Sequence, residues 1–434
     1  MSSKDKSDKA TAKMTEEVTA KAKAARVASR LLSRISADVK NRALLNVADA
    51  LESQQAPILI ANQDDYAAAK KDGMNDAMLD RLLLDPKRLA GMAEDVRRVA
   101  ALPDPVGESL DMNTLPNGLM VSKRRVPLGV IASIYESRPN VTVDITALCL
   151  KSGNACILRG GKESINSNTA LVSLIHRAIV PAGIAQETVQ YIDNPDRTLV
   201  NTLLQMKEYV SLLIPRGGSG LIKFVAEHAT MPVVTGGIGV CHTYIDQTAD
   251  LKMAADIVFN AKVQRPTVCN ALDTVLIHAG IAHSCLPLIA NRLGEAEVEL
   301  HCDQRALSIL GPEPGVNILP ALEEDWGKEF LSLTAAIKLV DSLDDALAHI
   351  ETYGSGHSDA IITEDQSAAN RFLDEVDSCT VYVNASTRFT DGAQFGFGAE
   401  VGISTQKFHA RGPMGLRELT SYKWLVRGTG QIRA

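Results

Sequence analysis

The sequence predicts an α/β protein built from two parallel-sheet blocks in tandem. Three observations carry that prediction. The chain has 434 residues, more than the roughly 250–300 at which a single hydrophobic core stops growing. From about residue 117 onward, short β-rich runs alternate with helix-length amphipathic runs, the rhythm of βαβ units. That rhythm restarts near Gly239, just after the glycine-rich stretch "VVTGGIG".

The elements can be justified in order. "MSSKDKSDKATAK" is polar and reads as a frayed tail over residues 1–16. Residues 15 to about 101 read as consecutive helices, because "TEEVTAKAKAARVASRLLSRI" and "DVKNRALLNVADALESQ" place apolar residues at i, i+3, i+4 and i+7 among alanines. Proline and glycine then punctuate "LPDPVGE". In the first block "RRVPLGVIASIY" is β-rich, "NVTVDITALCLKSGN" helical, "ACILRG" a strand and "ESINSNTALVSLIHRAIV" a helix. "TVQYI" is a strand, "PDRTLVNTLLQM" a helix with Pro195 near its first turn, "YVSLLIP" a strand and "GGSGLIKFVAEHA" a helix. The second block runs through "VCHTYID", "LKMAADIVFNAKVQ", "DTVLIH" and "IAHSCLPLIANRL", and continues through "AAIKLV", "LDDALAHIE", "DAIITED", "QSAANRFLDEV" and "CTVYVNA".

Composition narrows the function. Hydrophobic residues make up 45% and charged residues 22%, with a net charge of −7. This is a globular balance without the basic footprint of a nucleic-acid binder. No window approaches the ~18 uninterrupted apolar residues of a membrane span. Seven cysteines, scattered without C-x-x-C spacing, support neither a disulfide framework nor a zinc site. The expected setting is the reducing cytoplasm, and no metal site is expected.

Two turns suit an anion. In "LLIPRGGSGLIKF" a strand leads through Arg216, Gly217, Gly218 and Ser219 into a helix start, where unpaired N–H groups and the positive dipole end attract phosphate. In "ACILRGGKES", Arg159 and Lys162 flank Gly160 and Gly161 at the carboxyl end of a parallel strand. Either alone reads equally well as an ordinary loop, and no G-x-G-x-x-G is present. Together they suggest a dinucleotide site, and a basic residue at its adenosine end would favour NADP over NAD.

Cys269, in "FNAKVQRPTVCNALDT", stands apart from the other thiols. Cys149, Cys156, Cys241, Cys285 and Cys379 lie in apolar or amphipathic runs, as packing residues do. Cys302 has polar neighbours but no flanking helix and strand to position it. Cys269 sits in a polar loop after Lys262 and Arg265, whose charge would favour a thiolate, the nucleophilic form. A cofactor-free cysteine hydrolase would require a histidine base near this thiol, and no such motif stands out among the nine histidines.

These blocks, with an exposed cysteine in the second, resemble the aldehyde dehydrogenase superfamily. "VPLGVIASIYESRPNVTVD", "CILRGGKES", "LIPRGGSGLI", "TGGIGVCHTYID", "NAKVQRPTVCN" and "FHARGPMGLRELTSYKW" look like its acyl-phosphate-reducing branch. The resemblance covers nearly the whole chain from about residue 17. It implies an aldehyde dehydrogenase-like fold with a Rossmann-like NADP(H)-binding domain over residues 17–116 and 130–237. A catalytic domain would occupy 238–410, and a small β oligomerisation element 117–129 and 411–434, making the protein a homo-oligomer. The implied reaction is NADPH-dependent reduction of L-glutamyl 5-phosphate to L-glutamate 5-semialdehyde with release of phosphate, the second step of proline biosynthesis from glutamate. Association with glutamate kinase would suit so labile a substrate.

Residue by residue, Cys269 matches the superfamily nucleophile and Asn140, in "SRPN", the oxyanion asparagine. The turns at 159–162 and 216–219 match adenosine and pyrophosphate contacts, and Glu329 a carboxylate on the nicotinamide ribose. Arg138, Arg265, His409 and Arg411 are candidates for the anionic groups of the substrate. Hydrolysing members carry a glutamate just before a Gly-Gly pair, where this chain has Val234 and Thr235 before Gly236 and Gly237. A thioester destined for hydride has no use for that water-activating base.

Overall fold

The alanine- and leucine-rich first hundred residues form five helices: α1 (Ser3–Leu32), α2 (Ala37–Ser53), α3 (Gln55–Lys71), α4 (Asp76–Leu82) and α5 (Pro86–Ala101). The computed structural model describes residues 3–433 apart from 237 and 312–314. The frayed tail expected over 1–16 is helical from Ser3 onward, because its lysines, alanines and glutamates are good helix formers that continue straight into the amphipathic run. Asp85 caps α5 by accepting from the Arg88 amide, with Pro86 at the first helical position. Gly91 lies inside α5, and a Cβ there would meet nothing within 4 Å. Gly91→Ala is therefore expected to stabilise the protein by about 0.5–1 kcal/mol through helix propensity alone, read from the midpoint of a urea unfolding curve.

The chain divides into two compact units. The first comprises Met1–Thr235, Gly396–Val401 and Met414–Ala434. Its strands β1 (Ser109–Thr114) and β2 (Met120–Pro127) pair antiparallel, and the C-terminal strand Thr420–Arg427 joins the other edge of β2. The Asn154 amide, donating to the Leu419 carbonyl at 2.8 Å, ties that C-terminal segment down. The run "RRVPLGVIASIY" is thus two strands, with β3 (Val130–Tyr135) beginning after the turn at Leu128 and Gly129. There follow α6 (Asn140–Lys151), β4 (Ala155–Arg159), α7 (Ile165–Ile179), β5 (Val189–Tyr191), α8 (Thr198–Leu204), β6 (Leu212–Arg216) and α9 (Ser219–His228). Among the described residues these strands form a parallel sheet in the order β5-β4-β3-β6. Buried Val130, Ala132, Ile134, Ile157 and Leu213 pack there against Ala22 and Ala25 of α1.

The second unit comprises Gly236–Phe395 and Gly402–Pro413. It alternates β7 (Cys241–Ile245), α10 (Leu251–Val263), β8 (Leu272–His278), α11 (Ala282–Gly294), β9 (Glu299–Cys302) and α12 (Gln304–Leu310). The alternation continues with β10 (Ile318–Pro320), β11 (Thr334–Val340), α13 (Leu343–Tyr353), β12 (Ser358–Ile362), α14 (Gln366–Glu375) and β13 (Thr380–Val383). Among the described residues they make a seven-stranded parallel sheet, β10-β9-β11-β8-β7-β12-β13. Its central strands are buried on both faces, which is why they read as continuous apolar runs without alternation.

Candidate functional site

In the first unit the sheet order points to one place. The chain steps outward from β3 to β4 to β5, then returns to put β6 on the other side of β3. Ligands of open parallel sheets bind beyond the carboxyl ends at such a reversal. Register brings those ends level: Ile134 lies opposite both Arg159 and Pro215, and Tyr135 opposite Arg216. Both sequence-predicted turns therefore meet at one edge. Gly160 and Gly161 are crossed by neighbouring side chains, since a Cβ would fall on the Asn168 amide and the Glu163 carboxylate respectively. A Cβ on Gly217 would lie 2.8 Å from Leu221 Cδ2.

Arg159, predicted at the adenosine end, has its Nη groups turned onto the backbone. It is nearly buried, its Nη1 donates to the Gly160 carbonyl and its Nη2 to the Pro195 carbonyl, each at 3.0 Å. Burial pulls its pKa down, and Lys162 is the exposed cation of this turn. At the other turn the Glu136 carboxylate accepts from the Gly218 amide at 2.9 Å, so an anion already sits on the start of α9. Ser219 opens that helix, and its side chain lies outside the described residues. Asn140 begins α6 beside these turns and donates from Nδ2 to Asp144 Oδ2 at 2.9 Å. Loss of solvent pushes the Asp144 carboxyl up to about 7, against the pull of that hydrogen bond and of Arg216. Arg138 is half-buried in the same connection between β3 and α6.

In the second unit Cys269 is half-buried in the loop joining α10 to β8. That loop lies at the amino end of the sheet, where Gly239 precedes β7, Glu329 precedes β11 and His357 precedes β12. Hydrogen bonds hold it. Buried Cys241 donates its S–H to the Cys269 carbonyl at 3.3 Å, and desolvation keeps that thiol protonated. The Asn270 carbonyl accepts from Thr387 Oγ1 at 2.8 Å, while the Asn270 amide donates to the Thr390 carbonyl at 2.9 Å. Gly239 closes against the loop from β7, since a Cβ there would stand only 2.9 Å from Cys269 Cα and inside its carbonyl oxygen. The Gly239 amide donates to Glu329 Oε1 at 2.9 Å, which brings this predicted carboxylate to the Cys269 loop. Burial raises the Glu329 pKa.

Other assignments change. Lys262 is buried, 3.7 Å from Asp273 Oδ1 and bonded to the Ser332 carbonyl at 3.2 Å, so its charge is spent on Asp273. Arg265 is exposed. Arg411 is committed to Asp377, with Nη1 at 2.8 Å from Oδ1 and Nη2 at 2.5 Å from the carbonyl, and so braces its own loop. His409 is exposed with φ 70. Cys379 is half-buried rather than packed in the core, donating to the His357 carbonyl at 2.7 Å. Cys302 is the reverse case: strand alternation turns it into the core despite polar neighbours. Gly239, Arg388 and Glu136 escaped the sequence reading. A glycine two residues before a buried strand was the one signal for Gly239; the other two have no sequence signature. No group of three or more His, Cys, Asp or Glu residues suited to a metal occurs among the described residues.

Comparisons with known proteins fit this geometry. The aldehyde dehydrogenase family model matches residues 2–312. The chain is 58% identical over 398 residues to a gamma-glutamyl phosphate reductase of Dehalococcoides mccartyi, covering 92% of this chain and 94% of that protein. It is 54% identical over 400 residues to the protein of that name from Escherichia fergusonii, covering 92% and 96%. The crystal structure of gamma-glutamyl phosphate reductase from Thermotoga maritima is similar with a TM-score of 0.94 at 47% identity, over 96% of this chain and 100% of that one. The chain belongs to the aldehyde dehydrogenase family and, within it, to the gamma-glutamyl phosphate reductases, a group of oxidoreductases.

Proposed function

We propose that the protein reduces L-glutamyl 5-phosphate to L-glutamate 5-semialdehyde with NADPH, releasing phosphate, as the reduction step of proline biosynthesis. The observation that carries this reading is the Cys269 loop, clamped through its backbone while its thiol stays half-buried, in a chain of this reductase family. The Cys269 thiolate attacks the γ-acyl carbon; a C–S bond forms, the C–O bond to phosphorus breaks, and phosphate leaves with the bonding pair. The Cys269 amide donates to the oxyanion as it develops. A bound nicotinamide supplies hydride to the thioester carbon. Cys269 then leaves as the thiolate with the C–S electron pair, as it began, and the one proton consumed ends on the released phosphate.

The sheet reversal in the first unit supports a coenzyme site there. The glycine turns follow β4 and β6, the parallel neighbours of β3 at the sheet's reversal, where a dinucleotide would lie, and Lys162 is the exposed cation for a 2′-phosphate. Lys162→Glu is expected to lower kcat/KM for NADPH by about 10–100-fold, the worth of a charged hydrogen bond, and to leave that for NADH unchanged. Seven free cysteines support a reducing, cytoplasmic setting. The exposed Tyr422, Trp424 and Val426 on the C-terminal strand support a homo-oligomer. Glutamate kinase remains the partner we propose for delivery of the acyl phosphate. The decisive test is the reverse reaction. Reduction of NADP⁺ by glutamate semialdehyde that requires inorganic phosphate would support substrate, coenzyme and leaving group together; reduction indifferent to phosphate would overturn the reading.

A further inference from the structure

Beside the Cys269 loop stands an arginine that the mechanism above leaves unused. Arg388 lies in the short 3₁₀ turn Thr387–Phe389 that follows β13. Its backbone is fastened to the residue after the nucleophile, because the Asn270 amide donates to the Arg388 carbonyl at 3.4 Å while Thr387 Oγ1 donates to the Asn270 carbonyl. Its side chain reaches to the end of α10, where Nε donates to Gln264 Oε1 at 2.9 Å. The residue is half-buried, yet among the described residues no carboxylate comes within ion-pair distance of it. Three other half-buried arginines of the chain, Arg97, Arg125 and Arg411, each face an acidic partner. Arg388 instead has a neutral amide at Nε, with Arg265, Cys269 and Asp391 as its charged surroundings.

Withdrawing an arginine from water without a carboxylate partner is unfavourable unless another anion completes the site. A guanidinium held by Nε keeps both Nη groups for a second, bidentate partner of the phosphate or carboxylate kind. We propose that Arg388 binds the phosphate of the acyl-phosphate substrate and steadies it as it leaves. This rests on the function proposed above and adds a specificity residue to it. Phosphate is favoured over the substrate's α-carboxylate by position. The phosphoryl oxygen is bonded to the carbon that Cys269 attacks, whereas the carboxylate lies three carbons away, and Arg388 is pinned to the residue next to Cys269. The same contact works in reverse, when a phosphate oxygen forms its bond to the thioester carbon and the thiolate departs with the C–S electron pair.

The reverse reaction separates the two anions, since phosphate and the aldehyde that carries the α-carboxylate are then distinct substrates. Arg388→Met and Arg388→Lys are compared with wild type by steady-state kinetics and thermal unfolding. Met is expected to raise KM for inorganic phosphate about 10–100-fold, the worth of a charge-assisted bond, with KM for the aldehyde within about twofold and an unchanged unfolding midpoint. Lys, which keeps the charge but loses the fork, should fall between them. Unchanged KM for phosphate overturns the assignment, and a rise confined to the aldehyde moves Arg388 to the carboxylate and overturns it equally. A parallel fall in kcat and unfolding temperature, with both KM values unmoved, would leave Arg388 a structural brace and refute the proposal. Wild-type enzyme without any phosphate-dependent reaction would instead count against the proposed function.

Discussion

Cys269→Ser is expected to lower turnover by on the order of 10⁴-fold, the scale at which a covalent nucleophile is lost and only binding and positioning remain. A serine hydroxyl stays protonated at neutral pH and has no histidine base assigned to it here. His357, at the same sheet end, is buried with its pKa held down to about 4, and faces Cys241 at 4.0 Å. The substitution changes one half-buried atom in a loop held through backbone carbonyls of Cys269 and Asn270. Serine nearly matches cysteine in shape, so the fold should be intact, with the unfolding temperature within a few degrees of wild type. Steady-state reductase turnover checks the first part and calorimetry the second. Near-wild-type turnover would remove Cys269 from the chemistry.

Gly239→Ala should be almost as damaging without touching a reacting atom. The added methyl would have to occupy the Cys269 carbonyl oxygen and come within 2.9 Å of its Cα. Neither is the yielding end of a side chain, so the strand start or the nucleophile loop must move by about an ångström, a displacement that can reduce turnover about 10²-fold. The hydrogen bond from the Gly239 amide to Glu329 lies at the same contact, and its loss would take a donor from a half-buried carboxylate. The expected result is a fall in kcat of about 10²-fold together with destabilisation by about 1–3 kcal/mol, typical of overpacking. Gly91→Ala in the same background is the control, since it meets open space and should act in the opposite sense on stability. Unchanged kcat in Gly239→Ala would mean that the loop has slack that its hydrogen bonds do not suggest.

The two blocks, their strand and helix rhythm and the special character of Cys269 were legible because each rests on local pattern. Parallel strands buried on both faces are apolar runs, and a thiol in a polar loop stands out against thiols in apolar ones. The roles of the charged residues were far less legible. Lys262, Arg159 and Arg411 are chemically suited to anions, and the chain spends all three internally, on Asp273, on two carbonyls and on Asp377. Arg388, more than a hundred positions from Cys269 in sequence, is the charge that folding brings beside it.

By itself the sequence determined the fold class and the family and singled out Cys269 as the candidate nucleophile, since those depend on periodicity, on long ordered motifs and on a residue's immediate neighbours. Only the tertiary structure decided which end of the second sheet carries the Cys269 loop: the amino end, whereas ligands of open parallel sheets usually bind at carboxyl ends. It also decided which cations are left to meet a ligand. The reason is that an ion's partner is set by distance through space, and a buried charge takes whichever carboxylate or carbonyl the packing places beside it, whatever its spacing along the chain.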